Sequence, residues 1–153
     1  MKLESLSTIS ATTAINSGMN PSHSSDRDIL ASLPGVGLIV LAKLLGEEEG
    51  AIRNRDYTAL RCSTGVAPVT KRSGKSCRVQ HRRATNPRLV DNMYHGARVA
   101  APRDPLCKQR YQALCARGHT HGRELRSVAD RLIAVACTML KTGTLYRRTI
   151  VET

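Results

Sequence analysis

The chain contains neither tryptophan nor phenylalanine, and Tyr57, Tyr94, Tyr111 and Tyr146 are its only aromatic residues. Its core must therefore be assembled from Leu, Ile, Val, Ala and Met, side chains that suit packed helices better than a sheet sandwich. A length of 153 residues supplies one domain of the usual ~100–150 residues plus a tail, and too little for two independent cores. The expectation is a mainly α fold.

The apolar spacing says where the helices fall. Met1 to Ser25 is rich in Ser and Thr with only scattered apolar residues, so residues 1–25 are expected to be a flexible tail. Asp26 or Asp28 is placed to cap a short helix through Leu33. Gly37 to Gly46 reads as a second, mostly buried helix, closed by Glu47 to Glu49. Asp56 is placed to cap a helix through Cys62, ended by Gly65 and Pro68. The segment from there to Thr85 has neither helical nor strand periodicity and is expected to be a basic loop or a small hairpin.

Asn86-Pro87 is a helix start, with Leu89, Met93, Ala97 and Ala100 on one face and Pro102 as the stop. Asp104-Pro105 repeats the signal, with Cys107, Tyr111, Leu114 and Cys115 on one stripe and Gly118 as the terminator. The last helix carries Leu125, Val128, Ala129, Leu132, Ile133, Ala136 and Leu140 at three-and-four spacing and ends at Gly143. The expected architecture is a helix-hairpin-helix followed by a basic loop and a small helical bundle.

Charge narrows the function. Lysine and arginine number 24 against 12 acids, a formal net charge of +12, which favours polyanionic partners, nucleic acid first. From Tyr57 to Val90 there are eight basic residues (Arg61, Lys71, Arg72, Lys75, Arg78, Arg82, Arg83 and Arg88) and no Asp or Glu. Aromatic residues for stacking on bases do not interleave with them, so the expected contact is with the phosphate backbone. A merely solvated basic face is the plain alternative. Five cysteines, Cys62, Cys77, Cys107, Cys115 and Cys137, are odd in number and read as reduced thiols of a cytosolic protein. Neither a signal peptide nor an apolar run of ~20 residues is present, so a cytoplasmic protein without a membrane partner is expected.

Three local motifs bear on chemistry. Pro34-Gly35-Val36-Gly37, with Ile29 and Leu33 before it and an apolar run after it, resembles the helix-hairpin-helix motif over residues 29–46. There, glycine amides and a helix N-terminus receive a DNA phosphate without reading sequence. An ordinary helix-helix turn would use the same residues. Gly74-Lys75-Ser76 is not a nucleotide-binding loop, because Val69 stands where the other glycine is needed. Cys107, Cys115, His119 and His121 match no common zinc spacing, and no metal site is expected. Ser73 lies among Lys71, Arg72, Lys75 and Arg78, cations able to stabilise charge on a phosphate in transfer. The residues alone leave it either a nucleophile or a plain Ser-Gly turn residue.

Leu33-Pro34-Gly35-Val36-Gly37, Gly65-Val66-Ala67-Pro68, Ser73-Gly74-Lys75, Asn86-Pro87-Arg88-Leu89 and the helical region around Tyr111 and Ala129 to Leu140 resemble, in order and spacing, the C-terminal domain of the insertion-sequence 110/116/902 transposase family. The resemblance runs over about Ile29 to Arg148 and implies one such domain at 26–148. It further implies a serine in the Ser-Gly block, here Ser73, that attacks a DNA phosphate and forms a transient covalent link. Pro34, Gly35, Val36, Gly37, Lys71, Arg72, Gly74, Lys75, Arg78, Arg82 and Arg83 would contact DNA. The family pairs this domain with an N-terminal ribonuclease-H-like domain whose acids bind magnesium, so Mg2+ is expected only with that domain. This chain is read as a fragment lacking it and inactive alone. A structured guide RNA and a homo-oligomer are the other partners the resemblance implies. The rival readings are a non-catalytic helix-hairpin-helix DNA-binding module and a basic RNA-associated structural protein.

Overall fold

The stripe from Leu125 to Leu140 is the spine around which the other helices assemble. The computed structural model describes residues 25–147. The elements run α1 (Asp26–Ala31), α2 (Leu38–Glu47), α3 (Glu49–Arg53), α4 (Tyr57–Ser63), β1 (Val69–Ser73), β2 (Ser76–Gln80), α5 (Pro87–Arg103), α6 (Pro105–Ala116) and α7 (His121–Thr142). The fold is mainly α. α7 packs against α1, α4, α5 and α6, and α5 against α2, α6 and α7. Leu89, Ala97, Ala100, Leu125 and Val128 are all but sealed from solvent where these helices meet, and each large aliphatic side chain buried there contributes about 1.5–3 kcal/mol. Tyr57, Tyr111 and Tyr146 lie only at the margin of this aliphatic core, as an aromatic-poor chain requires.

Three helix ends follow their sequence signals. Asn86 accepts a hydrogen bond from the Arg88 amide and Pro87 opens α5. Asp56 caps α4 through the Ala59 amide. Gly143, at φ +66°, ends α7 in the left-handed conformation that a side chain disfavours.

Four expectations are corrected. Ser25, not Asp26 or Asp28, is the N-cap of α1, which ends at Ala31; the two aspartates occupy its first turn, where negative charge suits the helix dipole. Residues 1–24 of the expected tail lie outside the described residues. Glu47 to Glu49 do not merely close α2, because Glu49 begins the separate helix α3, which buries Ile52. Pro102 sits inside the last turn of α5, and the chain leaves the helix only at Asp104. On α6 only Cys107 is buried, whereas Tyr111 and Leu114 are half-buried and Cys115 is exposed, because α6 rests on the rim of the α5–α7 pair.

Asp104 is buried at the α5–α6 corner. One carboxylate oxygen accepts the Cys107 amide at 3.0 Å and the other accepts the Tyr146 hydroxyl at 2.7 Å. Burial, then the Asp104 carboxylate, pushes the Cys107 thiol up to about 12. Below pH 9 the thiol is protonated whether the chain is folded or not. Between pH 9 and about 12 the unfolded chain releases this proton while the folded one keeps it. Stability is therefore expected to decline across that window by up to about 1.4 kcal/mol per pH unit from this group. Urea unfolding under reducing conditions measures it: Cys107→Ala should decline less steeply, and identical declines would refute the assignment.

Candidate functional site

The basic segment folds as a hairpin that leaves the helical body and returns to the same point. The Asn86 amide donates to the Ser63 carbonyl at 2.9 Å, so residues 64–85 form an excursion closed at its base. β1 and β2 pair antiparallel, Val69 opposite Gln80, Lys71 opposite Arg78 and Ser73 opposite Ser76. Gly74, at φ +55°, and Lys75 make the two-residue turn, with glycine at the first turn position as such tight hairpin turns prefer. From Thr70 to His81 every residue is exposed, and neither strand packs extensively on a helix. The expected loop is thus a hairpin, which the sequence left as one of two forms.

Side chains directly opposite one another share a face. The register puts Lys71, Arg78, Ser73 and Ser76 on one face and Thr70, Val79, Arg72 and Cys77 on the other. Two cations therefore sit opposite each other one step from two hydroxyls at the tip. A like-charge pair in this position costs about 0.2–1 kcal/mol, and an anion on that face would offset it. Ser73 is exposed and its hydroxyl makes no hydrogen bond to a described residue. Ser76 was missed as its companion, although the symmetric Ser-Gly-Lys-Ser spacing carried the signal. Arg72 points to the face opposite Ser73. Arg82 and Arg83 follow the strand, at the hairpin base.

The remote acids reach only part of the basic set. Asp130 of α7 takes Arg61 in two hydrogen bonds of 2.6 and 2.9 Å and also accepts the Tyr57 hydroxyl at 3.0 Å, which fastens α4 to α7. Burial and Asp130 raise the Tyr57 pKa. Arg88 lies 3.9 Å from Glu47. Among the described residues Lys71, Arg72, Lys75, Arg78, Arg82 and Arg83 pair with no carboxylate. Arg61 and Arg88 thus serve the body, and six cations remain on the excursion.

The other predicted contact is the turn from Pro34 to Gly37 between α1 and α2. Gly35 has φ +81°, and a Cβ there would collide with the Gly96 carbonyl oxygen of α5 and come within 3.0 Å of the Ala100 Cβ. Gly37 is different. It is the N-cap of α2 at φ −81°, an angle open to any residue, and a Cβ there would meet nothing within 4 Å. Only one of the two glycines is therefore required by the fold. Leu38 and Ile39, expected to be mostly buried, are 75% and 70% exposed, on the open rim of the groove that α5 lines.

The turn and the hairpin occupy different strips of α5. The groove at the turn is lined by Asn92, His95, Gly96 and Val99, and the cleft at the hairpin base by Val90, Met93 and Tyr94. No hydrogen bond or ion pair among the described residues joins the two. The other candidates separate as well: Cys107 is buried, Cys115 is exposed, and His121 Nδ1 lies 2.8 Å from the Tyr111 hydroxyl. No three His, Cys, Asp or Glu side chains gather among the described residues. Among the same residues no helix is long and apolar enough to cross a membrane.

Residues 27–112 match the family described as transposase IS116/IS110/IS902. The chain is similar to an uncharacterized 43.6 kDa protein of insertion element IS110 from Streptomyces coelicolor, 34% identical over 119 residues, which cover 77% of this chain and 29% of that protein. It is also similar to a protein from the same organism named as a proposed transposase of the mini-circle IS117. There the identity is 30% over 109 residues, which cover 71% of this chain and 26% of the relative. The matched stretch spans less than a third of either relative.

Proposed function

Since this chain belongs to the IS116/IS110/IS902 family of transposases, we propose that it acts in DNA transposition as the serine-bearing, DNA-engaging part of such an enzyme. In this reading residues 26–148 correspond to the family's C-terminal domain, and α1, the turn and α2 form a helix-hairpin-helix. The observation that carries it is the face of the hairpin on which an exposed Ser73 shares a surface with Lys71 and Arg78, neither paired with an acid.

A strand phosphate lying along that face would meet cations on both sides of the hairpin and a hydroxyl at its tip. Attack by Ser73 Oγ forms a serine–phosphorus ester as one sugar oxygen leaves with the proton. Attack by a strand hydroxyl then returns the serine. Lys71, Arg78 and Lys75 stabilise the charge that builds on the phosphoryl oxygens. Gly37 at the open start of α2 offers a second place for backbone contact, where the lack of a side chain allows close approach. Ser73 has no described hydrogen-bonded base, so activation is assigned to another component, in keeping with a separate acidic, Mg2+-binding domain. Structured guide RNA and a second copy of the chain are partners proposed on the same ground.

The test is to trap a covalent protein–DNA adduct on element-end DNA, with the acidic domain of a family member supplied. Wild type and Ser76→Ala should form the adduct and Ser73→Ala should form none. An undiminished adduct in Ser73→Ala would reject the nucleophile. The same missing base favours one second reading, a non-catalytic DNA-binding module. It expects salt-sensitive duplex binding that ignores Ser73 and no adduct from any variant.

A further inference from the structure

The cleft at the hairpin base contains a cation that the fold leaves without an acceptor. Arg126, on α7, lines a cavity of about 100 Å3 together with His81, which follows β2, and Tyr94 of α5. That is well under the ~300 Å3 typical of pockets for drug-sized molecules. Thr64, Val66, Val90 and Met93 supply much of the remaining wall. Arg126 is partly buried, yet its guanidinium has neither an ion pair nor a hydrogen bond among the described residues. Next to His81 in sequence, Arg82 holds its Nε buried with no partner at all. A donor withdrawn from water and left unpaired is costly; Arg82 Nε is in that position, and Arg126 is a partly buried cation without a counter-charge.

The neighbours add to the charge. Burial, followed by the adjacent Arg123, pulls the Arg126 pKa down, the response of a cation with no counter-charge. Five guanidinium donors in a fork match the oxygens of a phosphate. The apolar walls raise the strength of any such bond by keeping water away.

We propose that this cleft is a phosphate-binding subsite, in which Arg126, assisted by Arg123 and by His81 and Arg82 at the hairpin base, grips one backbone phosphate of a nucleic acid lying along the hairpin. The inference rests on the reading of the hairpin as a nucleic-acid surface and extends that surface onto α7. Arg126 is a binding residue; the reacting phosphate is assigned to the tip, next to Ser73. The chemistry is that of a phosphodiester, which DNA and RNA share.

Binding of duplex DNA and of structured RNA by the whole chain, measured over a range of salt, tests it. With the nucleic acid that uses the subsite, Arg126→Gln should weaken binding and make the slope of log affinity against log salt shallower by about one. Arg126→Lys should retain most of the slope. Should Arg126→Gln lower the melting temperature, Arg123→Gln, at an exposed position, carries the test and should show a smaller loss in the same direction. Unchanged slopes and affinities in both glutamine variants, with wild type binding normally and Lys71→Ala/Arg78→Ala impaired, overturn the subsite alone. Failure of the wild type to bind either nucleic acid overturns the hairpin reading with it. An effect on RNA only, or on DNA only, supports the subsite and identifies its source of phosphate.

Discussion

Gly35→Ala should cost the protein several kcal/mol, whereas Gly37→Ala, two residues on in the same turn, should stay within about 0.5 kcal/mol of wild type. At Gly35 two penalties combine. The backbone at φ +81° strains any residue with a Cβ, by about 1–3 kcal/mol. The added carbon also runs into the Gly96 carbonyl of α5, which cannot yield without shifting a helix that contributes Leu89, Met93 and Ala97 to the core. Overpacking of this kind adds about 1–3 kcal/mol. Since small domains are stable by only about 5–15 kcal/mol, the sum is a large part of the whole. Gly37 has neither penalty. If its bareness serves a phosphate, Gly37→Ala folds normally and binds DNA less well. Thermal melts and gel shifts on the pair separate the two roles, and equal melting temperatures for both variants would contradict the geometry.

Neutralising Lys71 and Arg78 together should move binding and stability in opposite directions. The two face each other across the hairpin, so Lys71→Ala/Arg78→Ala relieves a like-charge pair and should leave the melting temperature unchanged or slightly higher. Loss of two phosphate contacts should make the salt dependence of duplex binding shallower by about 1.8, from about 0.9 per contact. Arg72→Ala, on the other face, should do less. A double variant that binds DNA as wild type does would remove the hairpin face from the interface, and a large drop in its melting temperature would mean that the pair is held by the fold.

The sequence made the long helices readable because their signals are local. Asn86-Pro87 and the Leu125 to Leu140 stripe say where α5 and α7 begin and what they bury, and the near absence of aromatics excludes most alternatives to helix packing. What escaped depends on partners far along the chain. Arg61 looked like part of the basic surface, but Asp130, on a helix 69 residues away, claims it. Arg126 was absent from the expected set because only folding brings α7 beside His81. The α6 stripe failed for a related reason: spacing gives a helix its apolar face but not how deeply that face sinks, and α6 lies at the rim. Of the candidate site, the hydroxyl, the cations and the turn were legible; the division of those cations between two hairpin faces required the register. α3 went unseen because three consecutive glutamates and a glycine gave no helical stripe, and Ile52, with Ala51 partly buried beside it, anchors it.

The arm formed by β1 and β2 has consequences for how such a chain can diversify. Its side chains from Thr70 to His81 are exposed and neither strand packs extensively on a helix, while its roots are pinned by buried Val66 and Ala67 and by the Asn86–Ser63 and Ala67–Arg61 backbone bonds. The length, charges and tip of the arm can change without disturbing the packing beneath, so on the proposed reading a new target would call for changes at about a dozen exposed positions. The same independence makes the arm a poor keeper of its own shape: a lone pair of strands holds together only marginally in water, so if the arm grips a nucleic acid as proposed, part of the binding free energy is spent on setting it straight.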